Sequence, residues 1–299
     1  MLECVVNLSE GRRAEVLDRL AAAAGTAVLD VHRDPDHHRS VFTIASTDPA
    51  VVEDAARRLA TAAAAALSLA DHSGVHPRLG VVDVVPFAAL PPTDDMVAVD
   101  AARRFANWIG TEVGIPAFRY DRADPEGRTL PTVRRDAFRS RAPDAGPDRP
   151  DPRLGACAVG ARSPLVAVNV ELDRDDLDLA HAVARAVRER DGGLTGVRAL
   201  GLRLASLGHT QVSMNLVDLD ATGLETACTA VRDRLATAGV GVARVELVGL
   251  VPAAVLDACS PAFRAWSGIS ADATLETRAA RVDGDAAGAT RDAGPASTV

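Results

Sequence analysis

Lysine is absent from the 299 residues, so all 33 basic side chains are arginine. That excludes Schiff-base chemistry and a P-loop lysine, while bidentate recognition of carboxylate or phosphate remains well supplied. Aromatic residues make up only 3% of the chain, too few for the base-stacking sheet of an RNA-recognition module. The four cysteines, Cys4, Cys157, Cys228 and Cys259, stand far apart and form no C-x-x-C pair. Neither a zinc site nor a disulfide framework is implied, and buried thiols in a reducing compartment are expected. No Gly-x-Gly-x-x-Gly follows a strand pattern and no Gly-x-Ser-x-Gly elbow occurs, which removes support for dinucleotide binding and serine-hydrolase chemistry. The most apolar stretch, 55–70, is mostly alanine and holds Arg57 and Arg58. It is too weakly hydrophobic to span a bilayer, and no basic region precedes an apolar core at the N-terminus. A cytoplasmic protein without a membrane partner is expected. The formal charge of −8 argues against nucleic acid as a partner, since phosphate binding needs a local excess of base.

What is present reads as a packed globular protein: 47% hydrophobic and 25% charged residues over a length sufficient for one large domain or two ordinary ones. Apolar periodicity predicts a strand at Leu2–Leu8, a helix at Arg12–Ala24, strands at Thr26–Val31 and Ser40–Ala45, a helix at Asp48–Leu69 and a strand at Val81–Phe87. The second half repeats this β-α-β-β-α-β order. Strands are expected at Leu165–Leu172, Val197–Ala205, Thr210–Val217 and Ala243–Val251, with helices at Asp175–Arg190 and Ala221–Gly239. The fold class is therefore α+β, with two ferredoxin-like subdomains whose open sheet faces pack together and leave a cleft at their rim.

Between the halves, a helix is expected at Asp94–Val113 and a strand at Ile115–Tyr120. The stretch Asp121–Ala161, dense in Pro, Asp, Gly and Arg, reads as a long functional linker without regular structure. The domain boundaries are expected at 1–161, linker included, and 162–282. A short helix is predicted at Ala271–Val282, followed by a disordered tail at 283–299.

Chemistry centres on the loop DHSGVHPRLG, Asp71–Gly80, which lies between a helix and a strand. Pro77 holds His76 extended and Arg78 places a guanidinium beside it. A histidine near its ordinary pKa of about 6.5 both accepts and donates protons at neutral pH, although a lone histidine is as readily a surface or capping residue. His72 and His76 are four apart and the loop 30–39 adds His32, His37 and His38. The His pair has no helical frame and no H-E-x-x-H glutamate, so no metal is expected. Arg39, Arg78 and Arg162 stand at element boundaries, where they either face the cleft or sit in solvent.

Six segments in order, ECVVNLSEGRR (Glu3–Arg13), DPDHHRSVFT (Asp34–Thr43), GVHPRLGVVDVVPF (Gly74–Phe87), GARSPLVAVNVEL (Gly160–Leu172), TQVSMNLVD (Thr210–Asp218) and VELVGLVPAAVLDA (Val245–Ala258), resemble the glutamate formiminotransferase family. They cover most of residues 2–282. The resemblance implies transfer of the formimidoyl group from N-formimidoyl-L-glutamate to N5 of tetrahydrofolate, the co-substrate, within one-carbon and histidine metabolism. The family's catalytic histidine lies in His-Pro-Arg, which assigns that role to His76. Its folate-lining pattern falls on Gly146, Pro147, Pro152 and Gly155 of GPDRPDPRLG. Both substrates carry carboxylates, and Arg39 and Arg78 are the expected anchors. A homodimer is implied, and the helical cyclodeaminase domain of larger members has no counterpart here.

Where the family usually has Asn before Arg in its third-strand motif, this chain has His38, and His32 replaces an acid. These two histidines favour a second reading, a related one-carbon transferase with a changed donor or acceptor, such as a formyl donor. A third reading is a non-catalytic folate- or ligand-binding regulatory module on the same scaffold.

Overall fold

The computed structural model describes residues 1–70, 72–73, 78–204 and 208–282. The expected tail at 283–299 and His76 itself lie outside these described residues. The described chain is a mixed α+β structure with one six-stranded and one four-stranded sheet.

Strand β1 (Leu2–Leu8) sets the pattern. Leu2, Cys4, Val6 and Leu8 are fully buried against helices, and Glu3, Val5 and Asn7 point to the opposite face. Helix α1 (Ala14–Ala24) turns Val16, Leu17, Leu20 and Ala24 inward. Strands β2 (Val28–Asp34) and β3 (Arg39–Ser46) form a hairpin, with Asp34 opposite Arg39, and β3 pairs antiparallel with β1. Helix α2 (Pro49–Ala66) begins where the Asp48 carboxylate accepts the Ala50 N–H and Pro49 occupies the first helical turn. Strand β4 (Val82–Ala89) returns antiparallel to β1.

Helix α3 (Asp95–Trp108) gives way to a π-helical turn at Ile109–Val113, closed by Gly114 at a φ of 76°, where a single helix to Val113 was expected. Then come β5 (Ala117–Asp121), α4 (Leu130–Asp136) and β6 (Cys157–Ala161). The expected linker 121–161 is thus not without regular structure. Its last five residues, CAVGA, form a fully buried strand inserted between β4 and β5 and parallel to both, giving the order β2-β3-β1-β4-β6-β5. A run of small residues buried on both faces shows no alternation, which is why periodicity passes over it.

The second sheet is built from β7 (Val166–Leu172), β8 (Val197–Leu204), β9 (His209–Leu216) and β10 (Val242–Leu247), in the order β10-β7-β9-β8. Helix α5 (Leu177–Val187) follows β7, and α6 (Leu224–Thr237) follows β9. The expected last strand stops short because the chain turns at Gly249, whose φ of 88° lies in the left-handed region. A Cβ there would come within 3.0 Å of the Thr43 Oγ1. Two short helices without a sequence expectation follow, α7 (Ala253–Asp257) and α8 (Pro261–Ser267). Ser260 caps α8 by accepting the Phe263 N–H. Helix α9 spans 275–282.

Each sheet packs its long helices on one face, and the short α4 lies on the opposite, crevice face of the first sheet, where Val133 packs with Val84, Phe118 and Tyr120. Phe42, Phe87 and Phe105 lie in the first core, and Val170, Met214 and Val231 in the second. A third cluster joins the halves: Leu29, Ala45 and Leu90 meet Leu250, Leu275 and Ala279. Among the described residues no helix is long and apolar enough to cross a membrane.

Candidate functional site

The faces of the two sheets opposite the long helices share a cavity of ≈ 770 Å³, within the range of about 300–1,000 Å³ usual for small-ligand clefts. Alternation places its walls. Val5 and Asn7 of β1 and Val41 and Thr43 of β3 face Asn169 of β7 and Ser213 of β9. Several cations line it as well, among them Arg39, Arg134 and Arg162.

The polar organisation at one end turns on Asp83. It sits in the otherwise apolar β4 with no solvent exposure. Its Oδ2 accepts the Arg39 Nη1 at 2.5 Å and the Arg134 Nη2 at 2.7 Å, and its Oδ1 accepts the Leu79 N–H at 2.6 Å. Burial alone raises this carboxyl's pKa, but the two guanidiniums and the Leu79 N–H outweigh it, so the group stays ionised. Arg39 also donates Nε and Nη2 to the Asn7 Oδ1 at 3.1 and 2.9 Å, which fixes the plane of its guanidinium. Asp34, opposite Arg39 in the ladder, is engaged by the ring and backbone N–H of His37.

Beside this end, a second network holds His72, Ser73 and Arg78, which flank residues 74–77 in the sequence. The rings of His38 and His72 stack with centroids 4.1 Å apart. His38 bonds the Ser73 carbonyl through Nδ1 at 2.9 Å and the Glu10 carboxylate through Nε2 at 3.3 Å. Burial pushes the Glu10 carboxyl up, yet the Arg13 and Arg12 backbone N–H groups and the Arg13 side chain bring it down to about 2. His72 returns a bond from Nε2 to the His38 carbonyl at 2.9 Å, and the Arg78 guanidinium meets its Nδ1. Burial pushes the His72 imidazole below its ordinary pKa. His38 reaches this arrangement with a φ of 50°, in the left-handed region.

The expected site residues separate accordingly. Arg39, Arg162, His32 and His37 line the crevice, and Arg78 is not among the described lining residues but lies against His72. Gly146, Pro147 and Pro152 are exposed and Gly155 is buried. Their segment braces the residues on either side of 71–78. Leu69 N–H donates to the Arg153 carbonyl at 2.8 Å, Ala156 N–H to the Leu79 carbonyl at 3.0 Å, and Val81 N–H to the Leu154 carbonyl at 2.8 Å. Gly155 is required at this approach, because its φ is 73° and a Cβ would lie 2.3 Å from the Leu79 carbonyl oxygen. Sequence reasoning missed Asp83, Arg134 and Asn7. Asp83 had a readable signal, a charge inside the apolar run GVVDVVPF, and Arg134 had none.

All four cysteines are free and buried. Burial raises every one of these thiols, Cys228 to about 12, so none is poised as a nucleophile. Among the described residues, no three His, Cys, Asp or Glu side chains are grouped to hold a metal ion.

Comparison with known proteins agrees along the chain. Residues 1–162 match the family model of the formiminotransferase domain's N-terminal subdomain, and residues 167–265 match that of the formiminotransferase domain. A glutamate formimidoyltransferase of Streptococcus pyogenes is 36% identical over 271 residues, covering 86% of this chain and 90% of that protein. One from Thermoplasma acidophilum is also 36% identical, over 84% of this chain and 88% of its own length. A formimidoyltransferase-cyclodeaminase of Mus musculus is 33% identical over 87% of this chain, which spans 52% of that larger protein. With both family models matched in order, and identity above 30% across most of its length, the chain belongs to the formiminotransferase family and is a transferase.

Proposed function

We propose that the chain moves a formimidoyl group from N-formimidoyl-L-glutamate to N5 of tetrahydrofolate, with His76 as general acid and base. Family membership carries the substrates, and one structural observation supports them: the crevice offers guanidiniums for the carboxylates that both substrates bear. N5 attacks the formimidoyl carbon, a tetrahedral adduct forms, and the glutamate nitrogen leaves protonated. His76 takes the N5 proton and returns one to the leaving nitrogen, a contribution of roughly 10²–10⁴-fold. Positioning the two substrates supplies the rest. Arg39 and Arg78 anchor carboxylates in this reading, and Gly146, Pro147, Pro152 and Gly155 line the folate. The hydrogen bonds from the 153–156 segment to Leu69, Leu79 and Val81, on either side of His76 in the sequence, support that pairing of the folate segment with the His76 region.

The same reading divides the chain into ferredoxin-like subdomains at 1–161 and 162–282, sheet face to sheet face, and pairs two chains as a cytoplasmic homodimer. The strand orders β2-β3-β1-β4 and β10-β7-β9-β8 support the first part, since each sets the first and third strands of a βαββαβ unit in the middle.

His32 on the crevice wall favours a second reading, a changed donor within the same chemistry. A donor screen decides between them: the protein is mixed with tetrahydrofolate and, in turn, formimidoyl-glutamate, other formimidoyl compounds and formyl donors, and the modified folate is followed. Absence of turnover with every formimidoyl donor sinks the main reading. His76→Ala is expected to lower turnover by roughly 10²–10⁴-fold with stability held within about 1 kcal/mol of the parent; undiminished turnover in that variant removes His76 from the mechanism.

A further inference from the structure

Six carboxyl groups are buried among the described residues, and five of them are ion-paired: Glu10 with Arg13, Glu53 with Arg104, Asp83 with Arg39, Asp124 with Arg128 and Glu171 with Arg244. Glu3 is the exception. Its side chain lines the crevice, is only 4% exposed, and has neither an ion pair nor a hydrogen bond among the described residues. The nearby Arg162 guanidinium acts on it only at a distance, since the Arg162 Nη1 donates to the Ser163 carbonyl at 3.0 Å. Two more buried atoms on the crevice walls lack a partner, the Thr43 Oγ1 and the Gln211 Oε1. Thr43 stands opposite Val5 in the ladder, which sets it diagonally beside Glu3 on the same sheet face, and Gln211 comes from β9 of the other sheet. Asn169 and Glu171 of β7 show the ordinary solution, with Glu246 and Arg244 as their partners. Unpaired buried polar groups cost stability, and folded chains seldom keep them without a use.

What the three groups share is the capacity to accept. A carboxylate only accepts, and a hydroxyl or amide oxygen accepts readily, so the ligand that satisfies them brings N–H donors. A second anion would meet Glu3 and be repelled. Two coplanar, parallel N–H groups match a carboxylate best, because both oxygens are then engaged. We infer that Glu3, with Thr43 and Gln211, forms an acceptor site for a flat N–C–N edge that carries two N–H groups. The identity of the ligand rests on the proposed function, and both substrates in that reading present such an edge: the amidine of the formimidoyl group and the 2-aminopyrimidinone side of the pterin. Glu3 is then a binding residue that selects the substrate by its donors.

Calorimetric titration of the full chain with two ligand pairs tests it. N-formimidoyl-L-glutamate is compared with N-formyl-L-glutamate, which keeps both carboxylates but has oxygen where the amidine has nitrogen. Tetrahydrofolate is compared with its 2-desamino-2-methyl analogue, which lacks the amino N–H groups. The parent is expected to favour the N–H member of at least one pair. Glu3→Gln is expected to shrink that preference at least about tenfold, since its amide offers one acceptor and sets an NH₂ against the ligand's own donors. Loss of preference in the first pair assigns the site to the donor, and loss in the second assigns it to the pterin. Thr43→Val is expected to shrink the same preference by a smaller factor. Glu3→Gln removes a charge that burial opposes and Thr43→Val a hydroxyl without a partner, so both are expected to fold at least as stably as the parent at pH 7. Burial raises the Glu3 carboxyl to about 7, so at pH 7 the favoured ligand is expected to displace up to about half a proton. That release appears as a buffer-dependent heat in the parent and is missing in Glu3→Gln, a difference that a purely structural glutamate would not produce. Equal buffer dependence in the two proteins overturns the inference. So do preferences unchanged within twofold in both pairs, and so does a parent that favours neither N–H ligand. A parent that shows the preference but transfers nothing from any formimidoyl donor leaves the site standing and removes the proposed function instead.

Discussion

At Glu3, strand alternation and charge oppose one another. The side chain follows Val5 and Asn7 onto the crevice face, yet it is only 4% exposed. Burial is the main cause of its raised pKa, about 7 against 4.5, with Arg162 pulling down and Glu276 pushing up. Between pH 4.5 and 7 the folded chain therefore holds more of this proton than the unfolded chain does, and stability falls as pH rises through that window. Glu3→Gln, neutral at every pH, is expected to match the parent near pH 4 and to exceed it at pH 8. The upper bound on the gain is on the order of 3 kcal/mol, read as a difference in denaturant midpoint at the two pH values. A parent as stable at pH 8 as at pH 5, with no gain in the variant, would show that Glu3 is not protonated in the folded state.

Among the elements, the 151–156 turn is the one that residue patterns conveyed least and the residues on either side of 71–78 need most. Gly80 and Gly155 bring two backbones into contact, with a Cβ at Gly80 2.2 Å from the Ala156 carbonyl oxygen. Gly155→Ala combines a left-handed φ with a backbone clash and is expected to cost more than the ~1 kcal/mol usual for a typical substitution. It is also expected to reduce turnover with His76 intact, because Leu79 and Gly80 must move. A variant with parental stability and parental kcat would refute the bracing role of this turn. The long elements were legible because a half-buried strand such as β1 or an amphipathic helix such as α1 has a strong period. Strand β6 and helix α4 were not, since CAVGA has no alternation and LPTVRRD spans only two turns. For the same reason the guanidinium partner of Arg39 escaped notice: Arg134 reaches Asp83 only through the packing of α4.

Across the whole molecule, the two sheets are held by more than the crevice. Leu275 of α9, fully buried, closes the small core in which Leu29, Ala45 and Leu90 meet Leu250. Leu275→Ala is expected to cost about 2–5 kcal/mol and to lower one shared unfolding transition. Two separated transitions, with only one of them shifted, would mean that the halves unfold independently. That there were two halves was legible from the repeated β-α-β-β-α-β order. What the repeat concealed is that the first sheet has six strands, two of them supplied by the connecting region.

The position of β6 governs how this protein is divided. It is the last strand of the first sheet to be synthesised, it lies in the interior of that sheet, and only four residues separate Ala161 from the start of β7. A break anywhere in 142–150 would send β6 away with the second fragment. Complementation would then require the first fragment to open a gap between β4 and β5 and accept a foreign strand, so the two pieces would recombine by threading, not by docking.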